Sequence, residues 1–147
     1  VSLVCASQDN GFWIYDEAKG SVNLVTFQGV KLHFSNDLRQ ILESTFQPVK
    51  IAVYDSNIYL FDKFIGLIEL SNVANFKRLT HLDAENISIN ASGIFFVKSN
   101  KMYQFLPAVL SKNIIANDIA EITCFDYYAP YFLKVLQNNY SLYLYSN

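Results

Sequence analysis

The chain has 147 residues, of which 52% are apolar, 16% aromatic and 16% charged, with a formal charge of −2. That is enough apolar material for a core, and it excludes a disordered role, since disordered chains lack the apolar surface that offsets ordering entropy. Eleven lysines and arginines against thirteen aspartates and glutamates leave no basic stripe to neutralise phosphates, so no nucleic-acid partner is expected.

Along the chain, VSLVCAS, GFWIYDE and SVNLVTF (1–27) read as three short strands punctuated by turn residues. Asp37–Phe46 follows, with Leu38, Ile41 and Leu42 at i, i+3 and i+4 behind an aspartate. This predicts a short helical turn, the alternative being an outer strand with a tail. A second triplet runs through KIAVYDS, IYLFDKF and GLIEL (50–70), with Asp55-Ser56-Asn57 and Lys63–Gly66 as turns. Phe76–Leu82 is a more polar outer-strand candidate. The third triplet is NISINAS, GIFFVKS and KMYQFL (86–106), closed by Pro107, with Asn113–Ala116 as its outer strand. The fourth is EITCFDYY, YFLKVLQ and YSLYLYS (121–146).

Equivalent positions in the last three copies step by about 36 residues, and the first copy carries an insertion. The middle strands Ile58–Phe61 and Ile94–Val97 are apolar on both faces. A strand covered on one side alternates with polar residues, so these must be covered on both. Together these features predict an all-β chain of β-propeller-type blades, about half a propeller. The expected single domain, 1–147, holds three full blades and a partial fourth, with approximate bounds 1–46, 47–84, 85–117 and 118–147. A β-sandwich with recurring hairpins is the competing reading, and it predicts sharper alternation.

The run Phe12-Trp13-Ile14-Tyr15-Asp16, then Leu24 and Ser35-Asn36-Asp37-Leu38, resembles a known group, as does Asn57–Asp62 with Gly66-Leu67-Ile68. The resemblance is to the later half of uncharacterised cell-envelope β-propeller proteins of Bacteroidetes, relatives of the six-bladed NHL- and TolB-like propellers. It implies six blades and a periplasmic or cell-envelope setting, and it carries over no catalytic residue.

No catalytic, metal-binding or cofactor-binding residue is expected. His33 and His81 lie in different copies, both in outer-strand candidates, whereas a zinc site needs three or four convergent ligands. Asp16, Asp55, Asp62 and Asp126 close strands near turns, where each is expected to accept backbone hydrogen bonds. The functional alternative is a carboxylate ring holding a metal, with Asp55 and Asp126 as the pair to watch. Cys5 and Cys124 read as buried free thiols. Tyr127, Tyr128 and Tyr131, around Pro130, are candidate binding residues with apolar bodies and polar tips. Tyr140, Tyr143 and Tyr145 form an uncharged terminal strand that reads as an interface.

The expected function is a non-enzymatic binding or scaffolding module; a metal-dependent propeller hydrolase or lactonase is the alternative. Expected partners are a second copy of the chain or N-terminal blades of the same protein. No apolar run approaches the ~20 residues of a membrane helix, so no transmembrane segment is expected.

Overall fold

The computed structural model describes residues 3–6, 11–72, 75–90, 93–123, 131–136 and 139–144. Fifteen strands and one short helix are assigned among them. Contacts divide the chain into two compact units, Val1–Leu82 and Asp83–Asn147.

The first unit carries two four-stranded antiparallel meanders. One is built from β1 (Leu3–Ala6), β2 (Gly11–Asp16), β3 (Ser21–Thr26) and β4 (Lys31–His33), in that spatial order. The other is built from β5 (Lys50–Tyr54), β6 (Asn57–Asp62), β7 (Gly66–Asn72) and β8 (Asn75–Thr80). Between them sits α1 (Leu38–Ile41), whose N-cap Asp37 accepts the Arg39 N–H at 3.0 Å. The helical turn expected from Leu38 and Ile41 is therefore present, and the outer strand precedes it as a separate element.

In the second unit, β9 (Asn86–Asn90), β10 (Gly93–Lys98), β11 (Lys101–Leu106) and β12 (Ser111–Asn117) form a third meander. A three-stranded sheet follows, β13 (Ile119–Thr123), β14 (Tyr131–Leu136) and β15 (Asn139–Leu144). The outer strands expected near Phe76–Leu82 and Asn113–Ala116 appear as β8 and β12. His81 lies just past the end of β8 rather than within it.

Turn chemistry explains why the chain reverses where it does. Asp55 and Ser56 both have positive φ (49° and 63°), as do Ser99 and Asn100 (49° and 58°). Two left-handed central residues give the hairpin turn whose twist matches that of paired strands. Asp55 is thus a turn-former placed in an exposed tip. Gly20 (φ 63°) closes the β2–β3 turn beneath α1, and a Cβ there would run into the Asp37 carboxylate.

The cores follow from strand alternation. In the first unit Tyr15, Val22, Ile51, Ile58, Leu60, Ile68 and Leu70 form one buried cluster with Leu38 and Phe46. Leu3, Cys5 and Trp13 pack against it. The opposite face of β6 carries Tyr59 and Phe61, each 2% exposed, so this strand is buried on both sides. β10 behaves likewise, with Ile94, Phe95, Phe96 and Val97 all buried. The two-faced apolar pattern that argued against a sandwich is what the structure contains.

Cys5 is a free thiol, half-buried against the first core, while Cys124 lies outside the described residues. Burial pushes the Cys5 thiol up to about 11, from an ordinary 9.0. Only the thiolate is nucleophilic, so two pH units correspond to about 100-fold less reactive form near pH 8. Iodoacetamide should accordingly label Cys5 about 100-fold more slowly in the folded chain than in urea, followed by peptide mass spectrometry. Equal rates would show that the site is open.

Candidate binding surfaces

Two turns and the loop containing α1 converge at one end of the first unit, and hydrogen bonds tie them together. Asp62, at the end of β6, is 2% exposed. One of its carboxylate oxygens, Oδ1, accepts the Phe64 N–H at 2.7 Å and the Ile65 N–H at 2.9 Å. The other, Oδ2, accepts the Gln47 N–H at 2.7 Å. A buried carboxylate is tolerable when its lone pairs are met by donors, and here three backbone donors meet them.

Arg39 does the equivalent work on the β2–β3 turn. Its guanidinium donates to the Glu17 carbonyl at 3.2 Å and the Ala18 carbonyl at 3.3 Å, and pairs with Asp37 at 2.9 Å. That fork holds the Asp37 carboxyl below its ordinary range. The Gln47 side chain then donates to Glu17 at 3.3 Å, linking the two turns.

Between these turns opens a pocket of about 730 Å³, within the roughly 300–1,000 Å³ of small-molecule sites. Its walls are mainly apolar, from Leu3, Tyr15, Pro48, Val49 and Phe64, with Glu17, Thr45, Gln47, Asp62 and Lys63 as polar groups. Phe64 is 87% exposed, an aromatic ring kept in water on a turn tip. The Tyr15 ring is 2% exposed and packs edge-on against Phe46 at 5.9 Å. Burial raises the pKa of its hydroxyl.

A second surface lies on the first sheet. Leu3, Cys5, Trp13 and Tyr15 point into the core, so Val4, Ile14, Phe12 and Val25 share the other face through the pairs Val4↔Ile14 and Phe12↔Val25. Val4 is 59% exposed and Phe12 43%, and Phe27, 61% exposed, stands edge-on to Phe12 at 5.5 Å. Ile14 and Val25 on this face are half-buried, and Asn23, opposite Ile14, is 3% exposed, so among the described residues the face is open chiefly at Val4 and Phe12, whereas β6 and β10 are buried on both sides.

Of the residues singled out from sequence, Tyr127, Tyr128, Tyr145 and Asp126 lie outside the described residues. Tyr131 sits in β14, opposite Leu144; Tyr140 and Tyr143 sit in β15, opposite Val135 and Phe132. Asp16 and Asp62 act as turn acceptors, Asp16 taking the Lys19 N–H at 3.3 Å. Asp55 lies in an exposed turn with positive φ (49°). Among the described residues no three histidine, cysteine, aspartate or glutamate side chains gather to hold a metal ion.

No protein-family model matches the chain, and no curated protein matches it. Among solved structures it is similar to streptogramin B lyase, with a TM-score of 0.58 and 16% identity. The match covers 98% of this chain and 53% of that one. The fold is that of β-propeller blades. The chain spans about half the length of the lyase structure it matches, and at this identity the likeness concerns fold alone.

Sequence reasoning missed the pocket. Its only local signal is Phe64, a large aromatic in the middle of an otherwise polar Asp62–Gly66 turn.

Proposed function

We propose that the chain is a non-enzymatic binding and scaffolding module of a bacterial cell envelope. It self-associates by stacking the open face of its first sheet on the same face of a second copy. The observation that carries this reading is the exposure of Val4, Phe12 and Phe27 on and beside a sheet whose middle strand has in β6 and β10 counterparts that are buried on both faces. A contiguous apolar sheet face in water marks an interaction site, and a two-fold pairing makes it self-complementary.

Two further facts favour a second copy as the occupant. The formal charge of −2 offers little repulsion between copies. The matched lyase structure is longer, this chain covering 53% of it. β15, with Tyr140 and Tyr143, is proposed as a further contact, together with Tyr145. The envelope setting rests on the resemblance of the Phe12–Asp16 and Asn57–Asp62 motifs. The hydrolase alternative is disfavoured because Asp55 occupies an exposed turn tip and Asp62 is spent on backbone donors.

Light scattering on an eluting peak tests the proposal. At tens of micromolar the expected mass is twice the 16.8 kDa of one chain. A mass of one chain throughout a concentration series would contradict it.

A further inference from the structure

We infer that a second pocket, of about 460 Å³ at the β2–β3 turn end of the first sheet, is a binding site for a small, singly charged hydroxy acid. The inference goes beyond self-association and does not depend on it. Lys19, Ser21, Asn23, Lys31, Asn36 and Asp37 line the pocket.

The first observation is a pair of buried polar side chains. Ser21 is 4% exposed and Asn23 3%, on the sheet face that also carries Ile14 and Phe12. Polar groups so withdrawn from water are held by hydrogen bonds. The Asn23 amide donates to the Ser21 hydroxyl at 3.3 Å and to the Ser21 carbonyl at 3.4 Å. Both distances exceed the roughly 2.7–3.2 Å of ordinary bonds of this kind. Such long bonds give way to shorter ones when a ligand oxygen arrives.

The second is a fixed wall. Past β4 the chain stays tied to β3. The Phe34 and Ser35 N–H groups donate to the Val22 carbonyl at 3.1 and 3.0 Å, and the Leu38 N–H donates to the Gly20 carbonyl at 2.9 Å. The Ser35 hydroxyl accepts the Val22 N–H at 2.8 Å. The backbone carrying Asn36 and Asp37 is held at both ends, so a ligand loses little affinity to ordering it.

The third is charge. Two ammonium groups, Lys19 and Lys31, face one carboxylate, Asp37, in the lining. Both Asp37 oxygens are taken by the Arg39 guanidinium, at 2.9 Å each. Lys31 is loosely engaged by Asp16, at 3.5 Å, and Lys19 is in no ion pair among the described residues. Glu17, on the same turn as Lys19, accepts the Gln47 amide and lines the other pocket. Setting Arg39 against Asp37 and Lys31 against Asp16 leaves one ammonium to spare. A single carboxylate on the ligand balances it, through a charge-assisted bond stronger than a neutral one. The Ser21 hydroxyl and the Asn23 and Asn36 amides both donate and accept, which suits ligand hydroxyls. An apolar ligand would leave these groups desolvated and unpaired, at a cost.

Titration with gluconate, its neutral counterpart sorbitol and glycerol phosphate, followed by backbone amide chemical shifts and calorimetry, tests this. Gluconate should shift the amides of residues 19–23 and Asn36, with an affinity that falls as salt screens the charge. Sorbitol should bind about 10-fold more weakly or not at all, for want of the charge-assisted bond. Lys19→Met, at an exposed position that leaves the fold intact, should weaken gluconate by about the same factor. Asn36→Ala should weaken it about 3-fold, the loss of one neutral hydrogen bond. Lys63→Met, in the other pocket, should bind gluconate as wild type does. No shift change at millimolar gluconate would overturn the inference, as would equal binding of sorbitol or undiminished affinity in Lys19→Met. Tighter binding of the doubly charged glycerol phosphate would overturn the assignment of ligand class. A monomeric wild type that binds gluconate at these residues would support the site and count against the dimer alone.

Discussion

Asp62→Ala is expected to lower the unfolding free energy by about 3 kcal/mol or more, the largest loss from any single polar side chain described above. The carboxylate is 2% exposed and accepts three backbone N–H groups, from Gln47, Phe64 and Ile65. Hydrogen bonds to a charged acceptor contribute about 1.5–3 kcal/mol each, and donors left buried without a partner cost a further desolvation penalty. The three bonds are not additive, because freed donors on a turn recover some water. Asp62→Asn separates charge from shape: its carbonyl oxygen still serves the Phe64 side, while its amide faces the Gln47 N–H as donor against donor. About half the loss is expected for that variant. Urea unfolding with an unchanged slope checks both. A loss under 1 kcal/mol would show that the turn holds itself without the carboxylate.

Phe12→Lys should raise the dimer dissociation constant at least 100-fold. Phe12 lies between Val4, Ile14 and Val25 on the open face and meets the Phe27 ring at 87°. Aromatic anchors at the centre of an interface commonly cost 2 kcal/mol or more on truncation. The introduced ammonium adds the cost of a buried charge without a partner. One hundredfold is about 2.8 kcal/mol at 1.4 kcal/mol per decade, so the estimate asks no more than one anchor supplies. The fold should survive, because the substituted position is 43% exposed in the single chain. Sedimentation equilibrium of the variant at several concentrations measures the shift. An unchanged constant would exclude this face from the interface.

Much of the fold was legible in sequence because its rules are local. The double-sided apolar runs at Ile58–Phe61 and Ile94–Val97 required cover on both faces and received it. Asp55-Ser56 and Ser99-Asn100 signalled turns by residue type, and Leu38 with Ile41 signalled the helix. What remained hidden depended on contacts distant in sequence. Ile14 and Phe12 look, as letters, like Leu60 and Phe61, and only tertiary packing shows that one set lacks a neighbour. The pocket joins Tyr15, Gln47 and Phe64 through a bond from Asp62 to a backbone group fifteen residues away, which no periodicity announces. Asp55 sits, as its residue type signalled, within the turn itself, with a left-handed backbone (φ 49°).

The central claim is that the outward face of the first sheet is where two copies meet. Isotope-filtered NMR on a mixture of differently labelled chains tests it at the atoms concerned. Intermolecular contacts are expected between the Phe12 and Phe27 rings of one copy and the Val4 and Val25 methyls of the other. Their absence at concentrations well above dimer formation, or their appearance only at residues of β15, would contradict the account.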